Sequence, residues 1–251
     1  MLRRIAAAPA RGAPQMRVSA PLLIAIGAIA ALVAIGVTDQ VLPATDARTA
    51  ELRPWIAARA LGVMAYLLLT LEVATGLILS HPRNTAAWRK TKQVFPWHEL
   101  LTVFTFGFLA IHGVLLAVDR YANVGWLGAL VPGLSAFRTP AIALGTVAAY
   151  TMLFTAITAK WTRLLPSGWW LKVHRVAALT FLMTWLHAVL SGTDGGALMP
   201  LYVITGLPIL AGIVHRSWTA RSRPQRPAPV AGAHPLSLGR PTPASVSAEE
   251  S

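Results

Sequence analysis

The chain contains no cysteine, only nine acidic residues and few charged residues of any kind. Without cysteine it cannot form disulfides, thiolate metal sites or iron–sulfur clusters, and it cannot attach heme covalently through a C-x-x-C-H motif. Only 12% of its 251 residues are charged, whereas about 25% is usual for soluble domains. With 55% hydrophobic residues and a mean hydropathy of +0.57, the composition indicates a membrane protein.

Basic residues nevertheless outnumber acidic ones, which gives a formal net charge of +13. Such a charge can indicate nucleic-acid binding, but here the basic residues lie between apolar runs and do not form one patch. We therefore expect contact with membrane lipid and no nucleic-acid partner.

Six apolar runs have about the length needed to cross a bilayer as helices. They lie at about 21–37, 56–80, 95–118, 141–159, 170–190 and 199–214. The sequence thus predicts an all-α bundle of six transmembrane helices over residues 20–215. A basic disordered arm (1–19) precedes it, and a disordered tail rich in proline, serine and arginine (216–251) follows. The first run is longer than the apolar core of a signal peptide and further spans follow, so we expect it to be retained.

Lysine and arginine alternate between the two ends of the spans. The amino-terminal arm, the loops after the second and fourth spans, and the tail carry most of them, whereas the other three loops hold only Arg48, Arg53, Arg120 and Arg138. The positive-inside rule therefore predicts cytoplasmic termini in a multi-pass protein of a bacterial-type inner (plasma) membrane. Below, the inner end is this predicted cytoplasmic end, and the outer end is the opposite one.

Two of the spans carry a histidine near each end. His98 and His112 lie in the third span, and His174 and His187 lie in the fifth. Imidazole is costly inside hydrocarbon, so an intramembrane histidine is a functional-site hypothesis by default. Two histidines on one helix lie roughly 20 Å apart at about 1.5 Å per residue. We therefore expect an inner pair of His98 with His174 and an outer pair of His112 with His187.

Each pair suits a noncovalently held b-type heme, which needs two neutral imidazoles and an apolar slot. Bis-imidazole ligation leaves no open iron position and favours electron transfer. The helical phase supports two heme ligands on the third span, because its two histidines point in the same direction to within about 40°. In the fifth span the two histidines are roughly 140° apart on an ideal helix. Either this span is locally wound differently, or its ligands reach two hemes from different sides.

Several other residues are candidates for roles around such hemes. Arg59, near the outer end of the second span, could pair with the propionates of an outer heme, and Arg175 or Lys172 could serve an inner one. Contact with lipid headgroups is the alternative for all three. Glu72 lies within the second span. Its carboxyl could relay protons or face a heme, or Glu72 could be a protonated or hydrogen-bonded packing residue. The expected slot-lining residues are Phe104, Phe106, Gly107, Phe108, Gly113, Ala177, Ala178, Phe181 and Trp185.

The histidine spacing, together with HRVAALTFLMTWLHAVLSGTD at 174–194, resembles the ferric-reductase-like transmembrane domain family over about residues 55–215. That family includes the membrane parts of NADPH oxidases and ferric reductases, and the heme subunit of periplasmic methionine-sulfoxide reductase is similar. The resemblance implies six helices, with His98, His112, His174 and His187 as ligands of two hemes. It also implies electron flow from an inner donor, such as a reduced flavin, to the outer side.

No G-x-G-x-x-G motif or room for a Rossmann unit follows the last span. The donor is therefore expected to be a separate protein, a quinol or a loosely bound flavin. The acceptor could be a ferric chelate, oxygen or a periplasmic reductase. The resemblance leaves open whether the chain is an enzyme or the electron-transfer subunit of one.

Other interpretations of the histidines stay open. The same residues could bind a divalent metal, although no carboxylate lies near His112 or His187 in sequence. The rival function is a six-helix transporter or scaffold whose histidines bind ions or protons and hold no heme. His81 and His215 fall at inner helix ends and are expected to be interfacial.

Overall fold

The computed structural model describes residues 19–43, 45–80, 87–167, 169–192 and 195–222. Within these ranges the chain is almost entirely helical and contains no strand. The elements are α1 (Ala20–Val41), α2 (Ala47–Ser80), α3 (Ala87–Val118), α4 (Gly125–Leu130), α5 (Thr139–Lys160), a 3₁₀ turn (Thr162–Leu164), α6 (Trp170–His174), α7 (Ala177–Ser191) and α8 (Gly195–Arg221). The predicted arm up to residue 18, the predicted tail from residue 223 and His81 lie outside the described residues.

In the described part of the chain, six helical segments are long and apolar enough to cross a membrane. They are α1, α2, α3, α5, the α6–α7 pair taken as one span, and α8. The predicted all-α architecture with six spans is thereby confirmed, while the orientation of the termini stays a prediction. The short helix α4 lies in the connection between the third and fourth spans.

Several helices extend beyond the apolar runs that predicted them. Helix α2 begins at Ala47, well before the expected residue 56, because Asp46 caps it. The Thr49 backbone N–H donates to Asp46 Oδ1 at 2.8 Å, and the Asp46 N–H donates to Thr49 Oγ1 at 3.1 Å, which forms a reciprocal capping box. Helix α8 likewise continues past residue 215 to Arg221. Hydropathy marks where the hydrocarbon begins, and helices continue into the polar flanks.

Helix α2 is the centre of the bundle. It packs along α3 and also contacts α1, α7 and α8, while α5 packs mainly against α7. Helix α3 carries His98 and His112, and α7 carries His187; the backbones of these two helices make few close contacts with each other. A space therefore remains between α3 and α7, closed by α2 on one side and α5 on the other.

The packing of α1 corrects part of the predicted slot lining. Gly107 faces Ile26 of α1, and Phe108 is buried in a cluster with Ile26 and Leu61. These two residues point away from α7 because α1 covers that side of α3. Phe181 is also fully buried, but in a cluster with Tyr66 and other residues at mid-bundle.

The fifth span is broken directly after His174. Helix α6 ends there, and α7 starts at Ala177. Between them, backbone bonds join residues three apart, from Val176 N–H to Val173 O and from Ala178 N–H to Arg175 O. Such a tight segment turns about 120° per residue instead of about 100°. Two or three such steps reduce the phase difference between the histidines of this span from roughly 140° to roughly 90°. The span is therefore locally wound differently, and its two histidines still point about a quarter turn apart.

Candidate functional site

A cavity of about 340 Å³ occupies the outer half of the space between α3 and α7. Both His112 and His187 line it, together with residues of α2, α4, α5 and α8. Its walls are mainly aliphatic, aromatic and small, and Gly113 is the one member of the predicted slot lining that contributes to them. The predicted outer pair therefore shares one apolar chamber, of a size that cofactor sites commonly have.

Each outer histidine is held by a backbone carbonyl of a neighbouring helix. His112 Nδ1 lies 2.6 Å from the carbonyl oxygen of Ala58 in α2, and His187 Nδ1 lies 2.7 Å from that of Ala141 in α5. A carbonyl can only accept, so Nδ1 must carry the proton in both rings. In the neutral imidazole the lone pair then sits on Nε2, which is the nitrogen left for a metal.

Two glycines make room for these rings. A Cβ built on Gly62 would lie 2.8 Å from His112 Cε1, and one built on Gly145 would lie 2.7 Å from His187 Cε1. Neither distance is tolerated between nonbonded carbon atoms, which prefer about 3.5–4.0 Å. Each ring therefore lies in close contact with the backbone of the helix whose carbonyl it contacts. Sequence reasoning missed both glycines, because only the packing of the helices shows which glycine faces which histidine.

The inner pair is also brought together. The ring centroids of His98 and His174 lie 6.2 Å apart, with planes at 76°. His98 Nδ1 lies 3.0 Å from the Glu72 carbonyl oxygen and 3.1 Å from Thr75 Oγ1. His174 Nδ1 is buried and has no hydrogen-bond partner among the described residues. The two levels thus differ, since both rings are anchored at the outer one and only His98 is anchored at the inner one.

The charged residues weighed from the sequence fall at three places. Arg59 lines the outer cavity, and its guanidinium lies 5.8 Å from the Trp55 ring centre. Arg175 is exposed at the break in the fifth span, directly beside His174. The Glu72 side chain is held by Thr102, whose hydroxyl lies 2.7 Å from Oε1, while Oε2 is buried and has no hydrogen-bond partner in the described part of the chain. Glu72 therefore lies beside the inner pair rather than the outer cavity. His215 is exposed near the end of α8.

Aromatic side chains fill the bundle between the two histidine levels. Tyr66 of α2 stacks on Phe181 of α7 with ring centres 6.2 Å apart, and it meets Tyr202 of α8 edge-on at 5.4 Å. The Tyr66 hydroxyl is 2.7 Å from Thr205 Oγ1. This cluster closes the inner end of the outer cavity with dense, apolar packing.

These residues fit the heme groups that the histidine pattern predicts. At the inner level, a metal about 2 Å from each imidazole nitrogen would hold the two ring centres about 6 Å apart, and the observed separation is 6.2 Å. At the outer level, two imidazoles with fixed tautomers face one apolar chamber and a cation, Arg59. Among the described residues, no three His, Cys, Asp or Glu side chains come together as a metal-binding group.

Comparison with known proteins supplies an independent finding. The model of one family, described as ferric reductase like transmembrane component, matches residues 61–185, about half of the chain. The match begins in α2 and includes His98, His112 and His174, but it ends just before His187. No curated protein and no solved structure matches the chain.

Proposed function

Because residues 61–185 belong to the ferric reductase-like transmembrane component family, we propose that the chain is a diheme b-type membrane cytochrome. The family itself indicates transmembrane electron transfer of the cytochrome type. In the finer proposal, electrons pass from a donor at the inner end to an acceptor at the outer end. His98 and His174 hold the inner heme, and His112 and His187 hold the outer one.

One observation carries the proposal more than any other. His112 and His187 reach the same cavity from different helices, and each has its Nδ1 proton committed to a backbone carbonyl. Metal-ligating histidines almost always donate their second ring nitrogen in this way, which fixes the tautomer and the ring direction. A packing histidine in a lipid-embedded bundle needs one such bond, but it has no need of a partner imidazole across an apolar chamber.

In this proposal, some residues bind the hemes and others exclude water from the space between them. Bound heme supplies a reversible one-electron change at its iron, and bis-imidazole ligation restricts it to electron transfer. The four histidines fix two such sites at different depths. Tyr66 and Phe181 pack between them and keep water out of the path. Arg59, which lines the outer cavity, and Arg175, which follows His174, would bind the propionates at the two levels.

The partners follow from the chemistry at each end. Reduction at the inner end requires a donor such as a reduced flavin, a quinol or a partner protein. The outer site delivers single electrons, which suits a ferric chelate, oxygen or a periplasmic reductase. Membrane lipid surrounds the bundle, whose helices expose many large apolar side chains, among them Ile24 and Ile204 at about 70%.

Heme stoichiometry tests the proposal directly. The full chain, produced with heme available and purified in detergent, should contain two b-type hemes per polypeptide by the pyridine hemochrome assay. Its Soret band should sharpen on dithionite reduction, and a redox titration should resolve two one-electron components. His112→Ala and His187→Ala should each remove the outer heme and spare the inner one. His215→Ala, which changes an exposed histidine, should retain both hemes.

Two results would overturn the proposal in different ways. A folded but colourless protein would refute the proposal that the chain is a cytochrome. It would favour the alternative that the chain is a transporter or scaffold whose histidines bind ions or protons. Equal loss of both hemes in His112→Ala, with the fold retained, would contradict the pairing of histidines by depth.

A further inference from the structure

Arg138 connects the same two helices that meet at His187. It lies immediately before α5, and its Nη1 donates to the carbonyl oxygens of Leu190 at 2.8 Å and Gly192 at 2.9 Å. These carbonyls end α7, where the last backbone acceptors of a helix have no intrahelical donor. A guanidinium is well suited to such carbonyls because they carry the negative end of the helix dipole. Arg138 therefore caps the helix that carries His187.

The backbone of Arg138 shows that this cap imposes a specific geometry. Its φ of 39° and ψ of 52° lie in the left-handed region, which residues other than glycine seldom adopt. The ring of the preceding residue, Phe137, lies 5.7 Å from the guanidinium and also lines the outer cavity. The loop thus enters α5 in an uncommon conformation that directs the Arg138 side chain toward α7.

Three contacts between α5 and α7 lie within two turns of α5. Arg138 bonds to the end of α7, the Ala141 carbonyl accepts the His187 Nδ1 proton at 2.7 Å, and Gly145 lies against the His187 ring. The last two contacts allow little freedom, since the ring is bonded to the helix at one point and in steric contact with it at another. If the two helices moved apart or together, the bond from His187 to the Ala141 carbonyl would break or the steric contact with Gly145 would loosen.

We propose that Arg138 is a positioning residue for the outer heme site, fixing the direction of the His187 imidazole by locking the end of α7 to the start of α5. It touches neither the imidazole nor the cavity centre and acts only through the α7 carbonyls. This inference rests on the proposed function, because the direction of the imidazole matters only if His187 is an axial ligand.

The test compares Arg138→Gln and Arg138→Lys with Arg120→Gln in the full chain. Arg120 is an exposed arginine of the same connection between the third and fourth spans, so its variant removes an equal charge from the outer end. The measurements are the low-spin ferric EPR signal and midpoint potential of each heme, and the rate of heme transfer to apomyoglobin. Loss of an outer-shell partner typically weakens metal binding by about 10- to 100-fold.

Because Arg138 is one step further from the ligand than such a partner, we expect Arg138→Gln to release the outer heme up to about tenfold faster and to shift its EPR signal and potential, while the inner heme stays unchanged. Arg138→Lys, which keeps the charge on a shorter side chain, should lie between this variant and the wild type. Arg120→Gln should match the wild type. If Arg138→Gln does not fold, Arg138→Lys carries the same comparison.

Two outcomes would overturn the inference while leaving the proposed function standing. The first is an outer heme in the Arg138 variants with wild-type EPR signal, potential and release rate. The second is an equal change at both hemes, which would assign Arg138 to general stability. A wild-type protein that binds no outer heme would instead refute the proposed function itself.

Discussion

Replacing Gly145 by alanine should disrupt the outer site through one methyl group. The added Cβ would lie 2.7 Å from both Cε1 and Nδ1 of His187 and 3.0 Å from Cγ. Carbon atoms in contact prefer about 3.5–4.0 Å, so the ring must move by about 1 Å. The ring cannot move freely, because its Nδ1 is held 2.7 Å from the carbonyl oxygen of Ala141, which lies on α5 with Gly145. Relieving the clash therefore weakens that bond or turns Nε2 away from the cavity.

The sign of the effect makes this substitution informative. Alanine in place of glycine inside a helix normally stabilises by about 0.5–1 kcal/mol. Overpacking a filled site typically costs about 1–3 kcal/mol, so Gly145→Ala should be destabilising on balance. Misplacing a ligand by about 1 Å should also weaken outer heme binding by about 10- to 100-fold, the range seen when outer-shell support of a metal ligand is lost.

The chain offers a matched control in Gly27 of α1, which does not line the cavity and whose built Cβ would have no described atom within 4 Å. Gly27→Ala should keep both hemes and unfold at the wild-type temperature or higher. Gly62→Ala, with its 2.8 Å contact to His112, should behave like Gly145→Ala. Heme occupancy, the outer midpoint potential and thermal unfolding in detergent measure the comparison. Retention of the outer heme by Gly145→Ala at wild-type affinity would refute the seating of the ring against the helix.

Two further predictions concern polar contacts of α2. Thr102→Val removes the hydroxyl 2.7 Å from Glu72 Oε1 and should destabilise the protein by about 1–3 kcal/mol, as for other buried polar groups that lose a partner. An unfolding midpoint equal to that of the half-buried control Thr151→Val, whose hydroxyl donates only to the Val147 carbonyl of its own helix, would contradict it. The backbone N–H of Thr49 donates to the Asp46 carboxylate and lowers its pKa. The ionised cap should therefore stabilise the folded protein at a pH above the usual pKa of an aspartate. This stabilisation should be lost as the pH falls through the lowered pKa. Asp46→Ala should therefore lower the unfolding temperature at neutral pH but not at strongly acidic pH. Asp46→Asn is the control, because it keeps a capping oxygen without the charge. If Asp46→Ala lowers the unfolding temperature equally at every pH, Asp46 is not an ionised cap of α2.

The number and type of helices could be predicted from the sequence because a bilayer imposes a minimum length and an apolar composition on every span. The bounds could not, since the start of α2 depends on a capping box between Asp46 and Thr49 that lies outside the apolar run. The break after His174 was foreseeable only as a conflict, in that thirteen residues do not return a helix to the same face. The bonds between residues three apart, which reduce this phase difference, became visible only in the structure.

The histidines could be paired from the sequence because depth in a membrane follows directly from position along a helix. Their surroundings could not, because which helices are neighbours is a property of tertiary packing. Gly107 was expected in the slot because it lies on the same helix as His98 and His112, yet it faces Ile26. Gly62 and Gly145 lie on other helices, and no spacing within the sequence links Gly145 to His187.

The two levels differ in how far the protein prepares them for a ligand. At the outer level, carbonyls fix both tautomers, glycines fix the position of both rings, and His187 sits on a regular helix. At the inner level, His174 ends a five-residue helix, and its buried Nδ1 has no partner among the described residues. Groups held in place before binding lose less conformational freedom when a ligand arrives. The outer site is therefore the preorganised one, and ligand binding at the inner site must itself supply the order that its second histidine lacks.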